Sequence, residues 1–168
     1  LSKSAYRLSL TLTLLLTVVL PGYSQQKTDL VIIGGGASGT MAAIQAARMG
    51  VSTIVVEETS WLGGMLTSAG VSAIDGNHKL PSGLWGEFRD HLYAHYGSAA
   101  AVETGWVSNT LFEPSVGQAI LRKMVAAEPR ISVLFEQRWS APVKTDRGWR
   151  VEVIDAKHKK QTIEAALI

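Results

Sequence analysis

The chain has no cysteine. A disulfide framework, a thiolate metal site and a redox-active cysteine pair are therefore excluded from these 168 residues. An excess of charge is also missing. The 16 Lys and Arg exceed the 14 Asp and Glu by two, and Lys3 and Arg7, in an acid-free opening of 24 residues, account for the difference. No basic stripe with interleaved aromatics appears, so nothing points to a nucleic-acid partner. The apolar stretch near the start, Leu8 to Leu20, has 13 residues, and a membrane-spanning helix needs about 20. No internal repeat or low-complexity segment is present. Charged residues are 18% and hydrophobic residues 46%, which suits one domain with a buried core rather than a disordered chain.

The opening reads as a separate module. Lys3 and Arg7 precede the apolar stretch, Pro21 and Gly22 break it, and Gly22-Tyr23-Ser24 places small residues before a cut ahead of Gln25. That is the plan of a secretory signal peptide over 1–24, with an N-terminal anchor or a buried extension as the alternatives. It implies a secreted or periplasmic protein. With the leader removed, no stable membrane span is expected.

The stretch from Thr28 to Glu58 organises the rest of the chain. Asp29 to Ile33 is a short apolar run ending abruptly at glycine, as a buried parallel strand does. Gly34, Gly36 and Gly39 have the G-x-G-x-x-G spacing: one for the tight turn, one for approach of a pyrophosphate, one for close packing of helix on strand. A helix is predicted from about Ala37 to Met49, with Gly50 where a C-terminal cap belongs. Thr53 to Val56 is a second β-branched strand. Glu57 stands at its end, 18 residues after Gly39. The helix N-terminus, with the N–H groups of Ala37 and Ser38, would attract phosphate oxygens. The Glu57 carboxylate would accept both hydroxyls of an adenosine ribose and repel a 2′-phosphate, which argues against NADP. Glu58 is the competing acid, and a solvated strand end is its simpler role. A purely structural glycine turn remains the alternative to a dinucleotide site.

After the second strand comes Thr59-Ser60-Trp61-Leu62-Gly63-Gly64-Met65-Leu66-Thr67. Adjacent glycines present bare backbone N–H groups to a pyrophosphate or ribityl chain, unless they serve only as a loop turn. At this point the chain resembles the FAD-dependent oxidoreductases of the glutathione-reductase-like superfamily, in the branch whose second strand ends in Glu before a Leu-Gly-Gly-Met segment. Asp29, Gly34, Gly36, Gly39, Glu57, Gly63, Gly64, Met65 and Thr67 carry the resemblance, and Ser68 to Val71 extend it. It implies FAD as cofactor, with Gly63 and Gly64 holding its middle and Met65 to Thr67 lying toward the isoalloxazine. It implies an α/β fold: a Rossmann-like parallel sheet of the FAD/NAD(P)-binding type, a helical insertion and a small antiparallel β-meander. The function expected is hydride transfer from a small-molecule substrate to flavin, with oxygen or another acceptor taking the electrons. The alternatives are an NAD-dependent dehydrogenase, which needs only the first glycine element, and a non-catalytic exported protein built on a nucleotide fold.

The remaining chain is assigned from pattern. Residues 66–128 form the insertion. Within it, Asp75-Gly76-Asn77 is turn chemistry, and His78 is either solvated or an acid–base group. Ser82 to Tyr96 is an amphipathic helix with Leu84, Phe88, Leu92 and Tyr96 at spacing four; Trp85 and Tyr93 pack or border a pocket. Ser98 to Glu113 is a loop carrying an exposed-looking pair, Trp106 and Phe112. Pro114 starts a helix to about Glu128, with Val116, Ile120, Met124 and Ala127 on one face. Ile131 to Phe135 is a third core strand. The meander, residues 140–164, turns at Asp146-Arg147-Gly148 and at Lys157 to Lys160. Gln137 to Trp139 would pass near the adenine through backbone atoms. No metal ligand set and no catalytic base are assigned. The chain ends within the apolar run Ala165 to Ile168, and the reading is of an N-terminal piece of the FAD-binding domain, incomplete at its C-terminal side and inactive alone.

Overall fold

A computed structural model describes residues 24–76, 78–106 and 108–168. The leader up to Tyr23, and Asn77 of the Asp-Gly-Asn turn, lie outside the described residues. The order of elements is β1 (Ser24–Ile33), α1 (Ala37–Arg48), β2 (Thr53–Val56), a single 3-10 turn (Gly64–Leu66), α2 (Gly83–Tyr96), α3 (Pro114–Ala126), β3 (Ile131–Leu134), β4 (Gln137–Trp139), β5 (Val143–Thr145), β6 (Gly148–Asp155) and β7 (Lys160–Leu167). Among the described residues these strands make one sheet of seven in the order β3-β2-β1-β7-β6-β4, with β5 on β6.

Strands β1, β2 and β3 pair in parallel, Val31 opposite Ile54 and Val55 opposite Val133. β2 is buried along its whole length, the mark of a parallel strand covered on both faces. One face takes the helices: Ile44 from α1, Phe88 and Leu92 from α2, and Ile120, Leu121, Met124 and Val125 from α3 pack with Leu62 and Phe112. The other face takes the antiparallel strands, as Val31, Ile54 and Val56 pack with Val151, Val153, Ile163 and Ala165. The Asp29 carboxylate accepts from the Ser52 N–H at 2.9 Å and hydroxyl at 2.6 Å, fixing the entry to β2. These bonds hold its pKa below the ordinary value.

Two expectations change. The first strand, read from Asp29, begins earlier: Gln25 to Thr28 are part of β1, running parallel to β7 from Ser24 opposite Gln161 to Leu30 opposite Leu167. Their polar side chains conceal a strand whose partner lies more than a hundred residues away. The meander is hydrogen-bonded into the main sheet through β7. Phe112 is buried, its ring edge-on to Phe88 at 5.5 Å between centroids, while Trp106 is 96% exposed. The turn between β5 and β6 falls at Asp146 and Arg147 as the pattern predicts, with Thr145 opposite Gly148. α2 ends at Gly97 in the left-handed conformation, φ 88°.

Candidate functional site

The site forms at the C-terminal ends of β1 and β2, where the chain turns into α1 and into the Leu62–Thr67 segment. Gly34 leaves β1 at φ +95° with its N–H donating to the Val56 carbonyl. Gly36 then caps α1 with extended backbone, φ −60° and ψ 179°. No side chain caps this helix, and its first turn holds no acid. Its N–H groups and positive end are therefore offered to an anion.

The glycines differ in what surrounds them. A Cβ on Gly34 or Gly36 meets no protein atom within 4 Å: the space beside them is open, as a cradle for a bulky phosphate must be. A Cβ on Gly39 would run into the Gly34 carbonyl oxygen and lie 3.2 Å from the Ile32 methyl. That glycine is required by the closeness of α1 to the turn. Gly36, Ala37, Ser38 and Gly39 thus stand together, with Ser38 exposed on the first helical turn.

The second glycine element lies directly against the first. Gly63 donates its N–H to the Gly35 carbonyl at 2.8 Å, and Gly36 and Gly63 form a parallel bridge. Gly63 has φ +103°, and a Cβ there would lie 2.7 Å from both Leu121 Cδ1 and the Thr67 side chain. Gly64 backs onto Gly36, with a Cβ there falling 3.1 Å from the Gly36 Cα. Met65 is 67% exposed, whereas Thr67 is 1% exposed and its hydroxyl donates to the Leu62 carbonyl. Thr67 therefore turns its side chain inward.

Glu57 ends β2 buried, at 8% exposure. Its Oε2 accepts from the Gly35 N–H at 2.6 Å, and its Oε1 accepts from the Thr59 N–H at 2.8 Å and hydroxyl at 2.7 Å. A carboxylate offers about four lone-pair positions. The protein's own N–H and hydroxyl groups use three, and the fourth, on Oε2, is free for a ribose hydroxyl. Glu58 is exposed.

Gly35 and Thr40 escaped the motif-based reading. Gly35 joins all three parts of the site: its N–H holds Glu57, and its carbonyl accepts from Gly63 and from the Thr40 hydroxyl at 2.9 Å. A Cβ on it would sit 2.8 Å from Leu62 Cδ2 and 3.1 Å from Glu57 Oε2. The middle glycine of the run Gly34-Gly35-Gly36 was the available signal, since G-x-G-x-x-G does not ask for it. Gln137 donates its N–H to the Glu57 carbonyl at 3.0 Å, which brings β4 alongside the acid. His78 lies in the insertion, Nδ1 3.3 Å from Asn109 Nδ2 and Nε2 4.0 Å from Glu103 Oε1. Trp85 packs against the helical core. The Arg89 guanidinium lies 5.4 Å from the Tyr93 ring centre. Among the described residues no group of three His, Cys, Asp or Glu is placed to hold a metal ion, and no helix is long and apolar enough to cross a membrane.

The donor set fits a dinucleotide. An uncapped helix end, open space beside Gly34 and Gly36, a second bare-backbone segment and a strand-end acid are the groups a pyrophosphate, a ribityl chain and a ribose require. Comparison with known proteins agrees. The family described as FAD dependent oxidoreductase matches residues 29–168. Mitochondrial dihydrolipoyl dehydrogenase of Caenorhabditis elegans is 49% identical over 45 residues, 27% of this chain and 9% of that protein. The 3-oxosteroid 1-dehydrogenase of Mycolicibacterium smegmatis is 44% identical over 87 residues, 46% of this chain and 15% of that protein. The chain thus spans a small part of the length of the relatives it matches. Among solved structures, OxyS anhydrotetracycline hydroxylase from Streptomyces rimosus superposes with a TM-score of 0.62 at 16% identity, covering 84% of this chain and 31% of that one. This last likeness is one of fold.

Proposed function

The chain belongs to the FAD dependent oxidoreductase family, its cofactor is FAD, and from that premise we propose that it builds the nucleotide-binding part of an exported enzyme that oxidises a small molecule. FAD supplies the redox chemistry by accepting a hydride. The chain's own residues bind and orient. The α1 N–H groups at Ala37 and Ser38, with Gly34, Gly36 and Gly39, take the pyrophosphate. Glu57 accepts one ribose hydroxyl through the free lone pair of Oε2. Gly63 and Gly64 line the middle of the cofactor with backbone, and Met65 lies beyond them toward the ring system.

One observation carries this reading: the Gly63-Gly64 doublet is bonded to the pyrophosphate turn through the Gly35 carbonyl. A loop glycine pair of no function has no reason to dock there. The same contact disfavours a plain NAD-dependent dehydrogenase, which needs the first glycine element alone. The export proposal rests on the Lys3 to Ser24 leader pattern. Cleavage ahead of Gln25 would retain nearly all of β1, which starts at Ser24.

The test is the visible absorption spectrum of the intact protein purified from its exported form, before and after denaturation and filtration. Flavin bands that pass the filter establish non-covalent FAD. Bands retained with the protein establish a covalent link and make His78 the first residue to replace. A protein without flavin bands, even after incubation with FAD, would overturn the reading. N-terminal sequencing of the same sample, starting at Gln25, would support the leader.

A further inference from the structure

Resting on the FAD reading, we propose that Gln118 of α3 is a positioning residue for the cofactor loop. The loop residues Ser60 to Gly63 are stretched between two anchors. On one side, Gly63 donates to Gly35 in the pyrophosphate turn. On the other, beside the loop's own bonds to Thr59 and Thr67, two side chains of α3 reach it. Gln118 Oε1 accepts the Leu62 N–H at 2.7 Å, its Nε2 faces the Ser60 carbonyl at 3.5 Å, and Arg122 Nη2 donates to the same carbonyl at 2.8 Å. Gln118 and Arg122 are four residues apart, so they present one face of the helix to the loop.

The environment makes the amide consequential. Gln118 is 9% exposed, and Leu62, whose N–H it receives, is 1% exposed. Without that acceptor the Leu62 N–H is a buried donor with no partner, a costly state that the loop relieves by moving. α3 is packed closely on this side: a Cβ on Gly117 would lie 2.5 Å from the Phe112 ring, and one on Gly63 would lie 2.7 Å from the Leu121 methyl. The Arg122 guanidinium is meanwhile held 4.4 Å over the Phe135 ring. Gln118 acts on the cofactor only through Leu62 and the glycines after it. The free protein with a relaxed loop must re-order it to bind FAD, and this emerges as weaker binding.

The experiment uses the intact protein stripped of flavin, with FAD titrated by fluorescence and the melting temperature of the stripped form read alongside. Gln118→Leu is expected to raise the FAD Kd about tenfold with the flavin-free melting temperature held within about 4 °C. Gln118→Glu keeps an acceptor for Leu62 and is expected to bind within about threefold of wild type. Hydrogen exchange of the segment 60–66 in the flavin-free protein should quicken in Gln118→Leu and not in Gln118→Glu. Arg122→Met, which removes the other tie from an exposed position, should weaken FAD about threefold without loss of folding. Equal affinity in wild type and Gln118→Leu overturns the proposal, as does equal weakening in Gln118→Glu or an Arg122→Met that leaves both affinity and exchange unchanged. Wild type that binds no FAD at all would overturn the functional reading itself, a result distinct from any of these.

Discussion

Replacing Gly36 by alanine should separate folding from cofactor binding. Gly36 has φ −60° and ψ 179°, a backbone any residue adopts, and its Cβ would meet no protein atom within 4 Å. Two small effects on stability oppose each other. Restricting the unfolded chain favours alanine by about 0.4–1 kcal/mol. Losing glycine at the N-cap of α1 costs a similar amount, roughly 0.5 kcal/mol, since alanine ranks below glycine there. The net change lies within about 0.5 kcal/mol, or under about 2 °C in melting temperature for a domain of this size. Binding behaves differently. On the proposed function, the methyl would occupy the space where phosphate oxygens meet the helix N–H groups. Loss of two charge-assisted hydrogen bonds at about 1.5–3 kcal/mol each weakens FAD at least a hundredfold. The assay is calorimetric unfolding of flavin-free protein together with FAD titration. An alanine variant that binds within threefold of wild type would refute the assignment of that space to the pyrophosphate. Gly39→Ala is the counterpart: its Cβ strikes the Gly34 carbonyl, so stability itself should fall by about 1–3 kcal/mol, read in the same melts.

Other substitutions test the same contacts. Glu57→Gln turns an amide NH2 toward either the Gly35 N–H or the Thr59 donors; it should cost about 1–3 kcal/mol in denaturant unfolding and weaken FAD in titration. Thr40→Val removes one of two donors to the Gly35 carbonyl, and about 1 kcal/mol in chemical unfolding is expected because the Gly63 bond remains. Arg48 joins α1 to Glu87 on α2 at 2.6 Å and to Glu128 at 2.7 Å, and these bonds push the Arg48 pKa up and the Glu87 pKa below 4.5. These groups are partly exposed, so Arg48→Met should cost no more than about 1 kcal/mol per pair. Because the Glu87 pKa is depressed on folding, that difference is present above pH 4.5 and vanishes as the pH falls below it; melts across that range, and at raised salt, check it.

The sequence carried the parts of this site that depend on local geometry. A glycine that a tight turn or a helix crossing demands, such as Gly34 or Gly39, shows itself by spacing, because the backbone constraint acts over a few residues. So does Glu57, placed by the length of one helix and one strand. What stayed illegible is set by long-range pairing. Gln25 to Thr28 look like a linker because their polar side chains carry no apolar signal, yet β7 gives their backbone a partner. Phe112 looks exposed within a loop because its partner, Phe88, lies on another helix.

Gln118 shows the same limit at the site itself. On α3 it is one polar residue beside a helical apolar face, and by pattern alone it belongs to solvent. Its role exists only because the Ser60–Gly63 loop crosses α3 with one buried N–H pointing at it. The residues that contact a dinucleotide are therefore spelled out by motif, while those that hold the contacting backbone in place are supplied by whatever packs behind it. In this fold that support comes from α3, within the 66–128 insertion whose Trp85 and Tyr93 are read from pattern as packing or bordering a pocket. A change in α3 made to alter substrate preference should for that reason also shift FAD affinity. Paired titrations of FAD and turnover on α3 variants would detect the coupling, and variants at Gln118 that changed turnover alone would refute it.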